Sequence, residues 1–147
     1  MNIVAQTEVR SVLAPTYAAL AEAYAGARNW PEAAQVVERG LVEAQEVGAL
    51  FAEGALHRIS GVVGAAQKEW HPAEAAFQKS LTILERIGSR VEVGRTRLAY
   101  AHLLKAMGQL EKAESEAQAA LAIFEETGAR PDAERAREAL HSWGVSG

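Results

Sequence analysis

The sequence predicts an all-α fold, a solenoid of three antiparallel helix pairs followed by one C-terminal helix, and three observations carry that prediction. The first is self-similarity. When the sequence is laid on itself so that Trp30 falls on Trp70 and Leu110, the same shift brings Ala33 onto Ala73 and Ala113, Leu41 onto Leu81 and Leu121, and Gly48 onto Gly88 and Gly128. A fixed period of about 20 to 50 residues marks stacked repeats, each too small to bury its own apolar face. The second is composition: the 147 residues are 49% apolar and rich in alanine, with 6% aromatic residues and four prolines, which favours helix throughout. The third is that each period reads as helix, short turn, helix. A chain of this length is enough for one domain, read as residues 1–147 with repeats at about 10–48, 50–88 and 90–128 and a terminal helix at about 131–143.

The first helix is predicted from about Arg10 to Ala27, where Val12, Leu13, Tyr17, Leu20 and Tyr24 recur at helical spacing. Arg28-Asn29-Trp30-Pro31 stops it and restarts the chain. Pro31 suits the first turn of a new helix, where its missing N–H costs nothing, and Asn29 with Glu32 resembles a capping pair. The second helix runs to about Val47 and ends at Gly48, which can take the left-handed conformation that residues with a β-carbon avoid. The same signals place helices at about 50–67, 72–87, 91–107 and 111–127, and a last one from about Pro131 to Trp143.

Small residues show how the pairs stack. Ala33, Ala73 and Ala113 stand near the start of the second helix of each pair, where a small side chain permits close approach. Trp30, Trp70 and Leu110 are expected to fill the space beside that contact. Gly40, Ser80 and Ala120 form a second small column, while Leu41, Leu81 and Leu121 form an apolar spine.

Several chemistries are disfavoured. A net charge of −4 argues against direct nucleic-acid binding. Without cysteine there is no disulfide, thiolate metal site or cysteine nucleophile. No leader pattern opens the chain and no stretch approaches the roughly 18 to 20 apolar residues of a membrane span, so a cytoplasmic chain with no membrane partner is expected. The histidines His57, His71, His102 and His141 form neither HExxH nor an i, i+4 pair, so no metal is expected. No Ser-His-Asp order with a nucleophile elbow appears, and carboxylates on helices of this composition usually form a solvated face. No catalytic residue, cofactor or enzyme activity is therefore assigned.

The stretch Gly88-Ser89-Arg90-Val91-Glu92-Val93-Gly94-Arg95-Thr96 superficially resembles a phosphate loop. It has five residues between its glycines where such a loop needs four, and Arg95 where it needs a compact lysine ammonium. The same glycine spacing recurs one period earlier at Gly48 and Gly54, so the feature follows the repeat. Gly88 is expected to end a helix, and Gly94 to be a small packing residue in the next.

These residues resemble the tetratricopeptide repeat. Tyr17, Leu20, Ala21, Tyr24, Trp30, Ala33, Val37, Gly40 and Leu41 occupy its consensus places in the first period. Tyr100, Ala101, Leu104, Gly108, Leu110, Ala113, Ala117, Ala120 and Leu121 do so in the third. The second departs, with Ser60 and Gly64 where Leu and an aromatic residue belong. The resemblance implies a right-handed α-α superhelix. A period of 40, longer than usual for the family, is similar to the repeats of bacterial MalT-like regulators and of signalling ATPases and cyclases; ALAIFEETGARPDAERAREAL has their character.

By that resemblance the first helix of each pair lines a concave groove. Carried over residue by residue, the groove receives Glu22 and Ala25, then Arg58, Val62 and Ala65, then Arg95, Leu98, His102 and Lys105. Charge is segregated: residues 90–107 hold four basic groups and one acid, and residues 111–127 hold five acids and one lysine. Two readings stay open. The groove selects an acidic segment through charge-assisted hydrogen bonds, or its basic groups pair with acids on neighbouring helices and bind nothing. Glu22, Val62 and His102 stand where the carboxylate-clamp subset of the family has Asn, so that activity is not carried over. Tyr17, Tyr24 and Tyr100 hold repeat positions that imply packing rather than ligand stacking.

The expected function is a non-catalytic interaction module whose groove binds a protein, as a peptide or partner helix. A sensory segment of a larger bacterial signalling ATPase or transcription activator is one alternative. The other is a self-assembling scaffold, a homo-oligomer formed through an apolar edge of the C-terminal helix at Trp143.

Overall fold

The computed structural model describes residues 3–145, with side chains from residue 12 onward. Among these residues seven helices follow one another: α1 (Ile3–Gly26), α2 (Trp30–Val47), α3 (Leu50–Ala66), α4 (Trp70–Arg86), α5 (Arg90–Ala106), α6 (Leu110–Thr127) and α7 (Arg130–Ser142), with no strand among the described residues. All but α1 agree closely with the sequence reading. That helix begins at Ile3 rather than near Arg10 and carries Pro15 inside it. No helix among the described residues is long and apolar enough to cross a membrane.

One turn joins all the helices. Arg28, Gly48, Lys68, Gly88, Gly108 and Gly128, evenly spaced at the helix junctions, all have positive φ. The next residue then donates its N–H to a carbonyl in the last turn of the helix just ended: Asn29 to Tyr24, Ala49 to Ala44, Glu69 to Gly64, Ser89 to Leu84, Gln109 to Leu104 and Ala129 to Phe124, at 2.8–3.0 Å. This is the Schellman closure, which satisfies carbonyls left open at a helix end. The donor of that bond is also the N-cap of the following helix, so the turn is as short as it can be.

The expected Asn29–Glu32 capping pair is not formed: Asn29 is the N-cap of α2 but its side chain makes no capping hydrogen bond. Its backbone, φ −90 and ψ 75, is closely matched by Ala49 and Ala129, which have no capping group. The Schellman turn therefore sets the entry angle, and side-chain capping is not required.

Helices α1, α3 and α5 each pack on the even helix that follows, and α7 packs back on α6. Odd helices also touch one another, α1 on α3 and α3 on α5, whereas the contacts of comparable extent among the described residues join no two even helices. The odd helices therefore lie on the inner side of the curve. The small columns behave as expected: Ala33, Ala73, Ala113, Ser80 and Ala120 are fully buried, and a β-carbon on Gly40 would stand 2.8 Å from Leu56 and 2.9 Å from Tyr17. Trp30 and Trp70 are half-buried, but Leu110, expected to fill the same space, stays exposed.

Size also trades between partners along the array. A β-carbon on Gly54 would lie 2.6 Å from Leu84, one on Gly94 would lie 2.6 Å from Phe124, and one on Gly61 would lie 2.6 Å from Phe77. Gly88 ends its turn in the left-handed region and Gly94 lies inside α5 against Phe124, the two roles expected of them. The phosphate-loop likeness is thus explained by packing.

The apolar edge expected on α7 is not there. Positions that are Gly54, Gly61, Gly94 and Ala101 in earlier repeats become Glu134 and His141 in α7, and both are exposed along with Arg137. Trp143 is half-buried against the cluster of Leu98, Ala136 and Leu140. Its ring meets His102 edge-on at 5.4 Å.

Candidate functional site

The inner sides of α1, α3, α5 and α7 enclose an open cleft of about 530 Å³. Its apolar lining comes from Ala25, Ile59, Val62, Leu98 and Ala99, with Glu22 of α1 on one side and Asp132 and Arg135 of α7 on the other. Of the residues expected in the groove, Glu22, Ala25, Arg58, Val62, Arg95, Leu98 and His102 line this cleft together. Lys105 and Ala65 are not part of its lining; Lys105 is exposed on the last turn of α5, and Ala65 packs against the cluster around Phe77.

The arginines of the cleft pair with acids on their own and neighbouring helices. Arg58 is buried, its Nη1 2.7 Å from Glu92 Oε2 and 3.5 Å from Thr96 Oγ1. Thr96 in turn shares a 2.9 Å hydrogen bond with Ser80, so the polar cluster under the cleft is satisfied internally. Arg95 donates from Nη1 to Glu92 at 2.8 Å and grips Asp132 with Nε at 3.0 Å and Nη2 at 3.2 Å. Arg135 reaches the same Asp132 at 3.5 Å. These groups, drawn from α3, α5 and α7, form an alternating ladder along the floor and C-terminal wall. The hydrogen bonds to Asp132 raise the pKa of Arg95, which holds its charge firmly. Arg58 thus lines the cleft with its guanidinium buried and held by Glu92.

The same pairing explains the segregated charge of α5 and α6. Arg97 bonds Glu116 at 2.9 Å and Glu85 at 3.2 Å, and Arg90 bonds Glu126 at 2.7 Å. Tyr100 packs at 5.9 Å from Phe77 and donates its hydroxyl to Glu74 at 2.7 Å. Burial and that carboxylate push its pKa up to about 12.

Glu22 differs from the ladder residues: it forms no ion pair among the described residues. His102 lines the same cleft, and desolvation among the surrounding helices lowers its pKa. His57 points elsewhere, buried near Gln45 and Lys79, 3.4 Å from Glu53. Among the described residues no group of three or more acidic or histidine side chains is placed to hold a metal ion.

The tetratricopeptide repeat family model matches residues 52–126, more than half of the chain. The chain belongs to the tetratricopeptide repeat family. No curated protein sequence matches it. Tetratricopeptide repeats in general are protein-interaction modules and are typically not enzymes. The sequence reading leaves out Asp132 and Arg135, although the period points to them: Asp132 stands one period after Glu92, and Arg135 one period after Arg95. The α7 helix of this tetratricopeptide repeat chain therefore continues the wall of the cleft.

Proposed function

We propose that the chain is a non-catalytic interaction module whose concave cleft holds a peptide or helix of a partner protein. One observation carries this reading: Val62, Ile59, Leu98 and Ala99 offer an apolar floor that is open to solvent at one side, between charged walls. Apolar side chains of a partner would seat on that floor. Because Arg58 and Arg95 are matched with Glu92 and Asp132, and Arg135 reaches the same Asp132, any preference for an acidic segment rests on Lys105, exposed on the last turn of α5 beyond the cleft lining.

A display library of short amphipathic helices, selected against the folded chain, tests the proposal. Enriched peptides should bind wild type and lose binding to Val62→Glu, a change at a half-buried surface position. Lys105→Glu should weaken only the acidic members. Binding that survives Val62→Glu contradicts the placement.

The turn residues keep the same long period throughout, the feature on which the resemblance to repeats of bacterial regulators and signalling ATPases rests. It favours, as a second reading, a binding segment acting beside a catalytic or DNA-binding neighbour. Such a module in the same reading frame supports it, and stop codons on both flanks contradict it.

A further inference from the structure

A second hollow, of about 320 Å³, lies between α2, α3 and the start of α4 and shares no lining residue with the concave cleft. It is the place where the second repeat departs from the pattern of the third. Val37, Ser60, Gly64 and Gln67 line it, and their counterparts one period on are Phe77, Tyr100, Leu104 and Met107. In the third repeat that cell is filled: Tyr100 and Met107 pack on Phe77 and Leu103. The hydroxyl of Tyr100 bonds Glu74 and also interacts with Gln78.

The second repeat cannot recover the lost volume by closing up. Gly64 already brings α3 so near α4 that a β-carbon there would stand 3.1 Å from the β-carbon of Ala73. The hollow is bordered by Glu38, the counterpart of Gln78, whose side chain forms no ion pair among the described residues.

We propose that this hollow receives one tyrosine side chain of a partner protein, its ring between Val37 and Val63 and its hydroxyl donated to Glu38. Tyr100 supplies the template from within the same chain: a ring in the corresponding cell, against the corresponding apolar residues, with its hydroxyl donated to Glu74 beside Gln78, the residue that Glu38 replaces. In the second repeat Ala34 stands where the acceptor Glu74 stands in the third, and the carboxylate of Glu38 takes over that role from the neighbouring position. The ring alone would suit any aromatic residue, and Glu38 selects the one with a hydroxyl.

The probe is N-acetyltyrosinamide, titrated into the isotopically labelled full chain and followed by amide NMR shifts. Saturable shifts are expected in residues 34–41 and 60–67, with a weaker response to N-acetylphenylalaninamide. Ser60→Tyr places the chain's own ring in the hollow and should abolish the response; Val37→Phe, which installs the counterpart of Phe77, should do the same. Shifts absent from both segments, or retained in a folded variant of either kind, overturn the proposal. Equal responses to the two probes overturn the choice of tyrosine, a comparison that needs no variant.

Discussion

Arg58 Nη1 and Glu92 Oε2 stand 2.7 Å apart, with the two side chains only 9% and 10% exposed, and this contact ties α3 to α5 beneath the concave cleft. Removing one partner strands a buried charge. Glu92→Ala should therefore cost about 3–5 kcal/mol, whereas Arg58→Met with Glu92→Leu should cost far less, because neither charge remains. Urea unfolding of the single and double variants checks this; equal losses in both would show that the pair does not act as a unit.

Gly94 is a packing residue. Alanine there would press into Phe124, so Gly94→Ala should destabilise by about 1–3 kcal/mol. The first repeat has Ala14 and Ala44 at the corresponding positions, both fully buried. Adding Phe124→Ala to Gly94→Ala should accordingly relieve the clash and leave only the loss of the phenyl ring. Thermal melts of the two single variants and the double variant measure this coupling, and strict additivity would contradict it.

Arg28 and Lys68 hold φ of 58 and 60 at places where the third repeat has Gly108. A residue with a β-carbon pays roughly 1–2 kcal/mol for that conformation, offset in part by the larger unfolded-state entropy of glycine. Arg28→Gly and Lys68→Gly should each stabilise the chain by about 0.5–1 kcal/mol. Gly88→Ala should destabilise it. Chemical denaturation resolves changes of that size, and a loss of stability on Lys68→Gly would overturn this reading of the turn.

Burial lowers the pKa of His57, against the opposing pull of Glu53 and with Lys79 adding to the shift. Below the ordinary histidine range the unfolded chain then binds a proton that the folded chain resists. Stability is accordingly full above about pH 6.5 and is lost as pH falls through the lowered folded value. His57→Gln should flatten the stability profile between neutral and mildly acidic pH. An unchanged slope would show that His57 does not carry it.

The helices and their ends were legible because helical spacing, Gly48, Gly88 and Gly128 are local signals. Gly94 was legible as a packing residue because the period repeats Gly54. Arg58 was not legible as buried: its partner Glu92 lies on another odd helix, at an offset fixed by how α3 and α5 stack rather than by either segment alone. For the same reason Asp132 could be aligned with Glu92 but not seen to clamp Arg95. Leu110 and Trp143 misled in opposite directions, since an apolar residue at a repeat position is buried only if a neighbour reaches it. The former stays exposed, and the latter is half covered beside His102.

The central claim is that partners seat on the inner helices. Amide NMR mapping of a selected peptide without aromatic residues, bound to the intact chain, tests it most directly. The largest shifts are expected on Glu22, Ile59, Val62, Leu98, Ala99 and His102, with α4 and α6 nearly unchanged. Shifts concentrated on α2, α4 and α6 would contradict it.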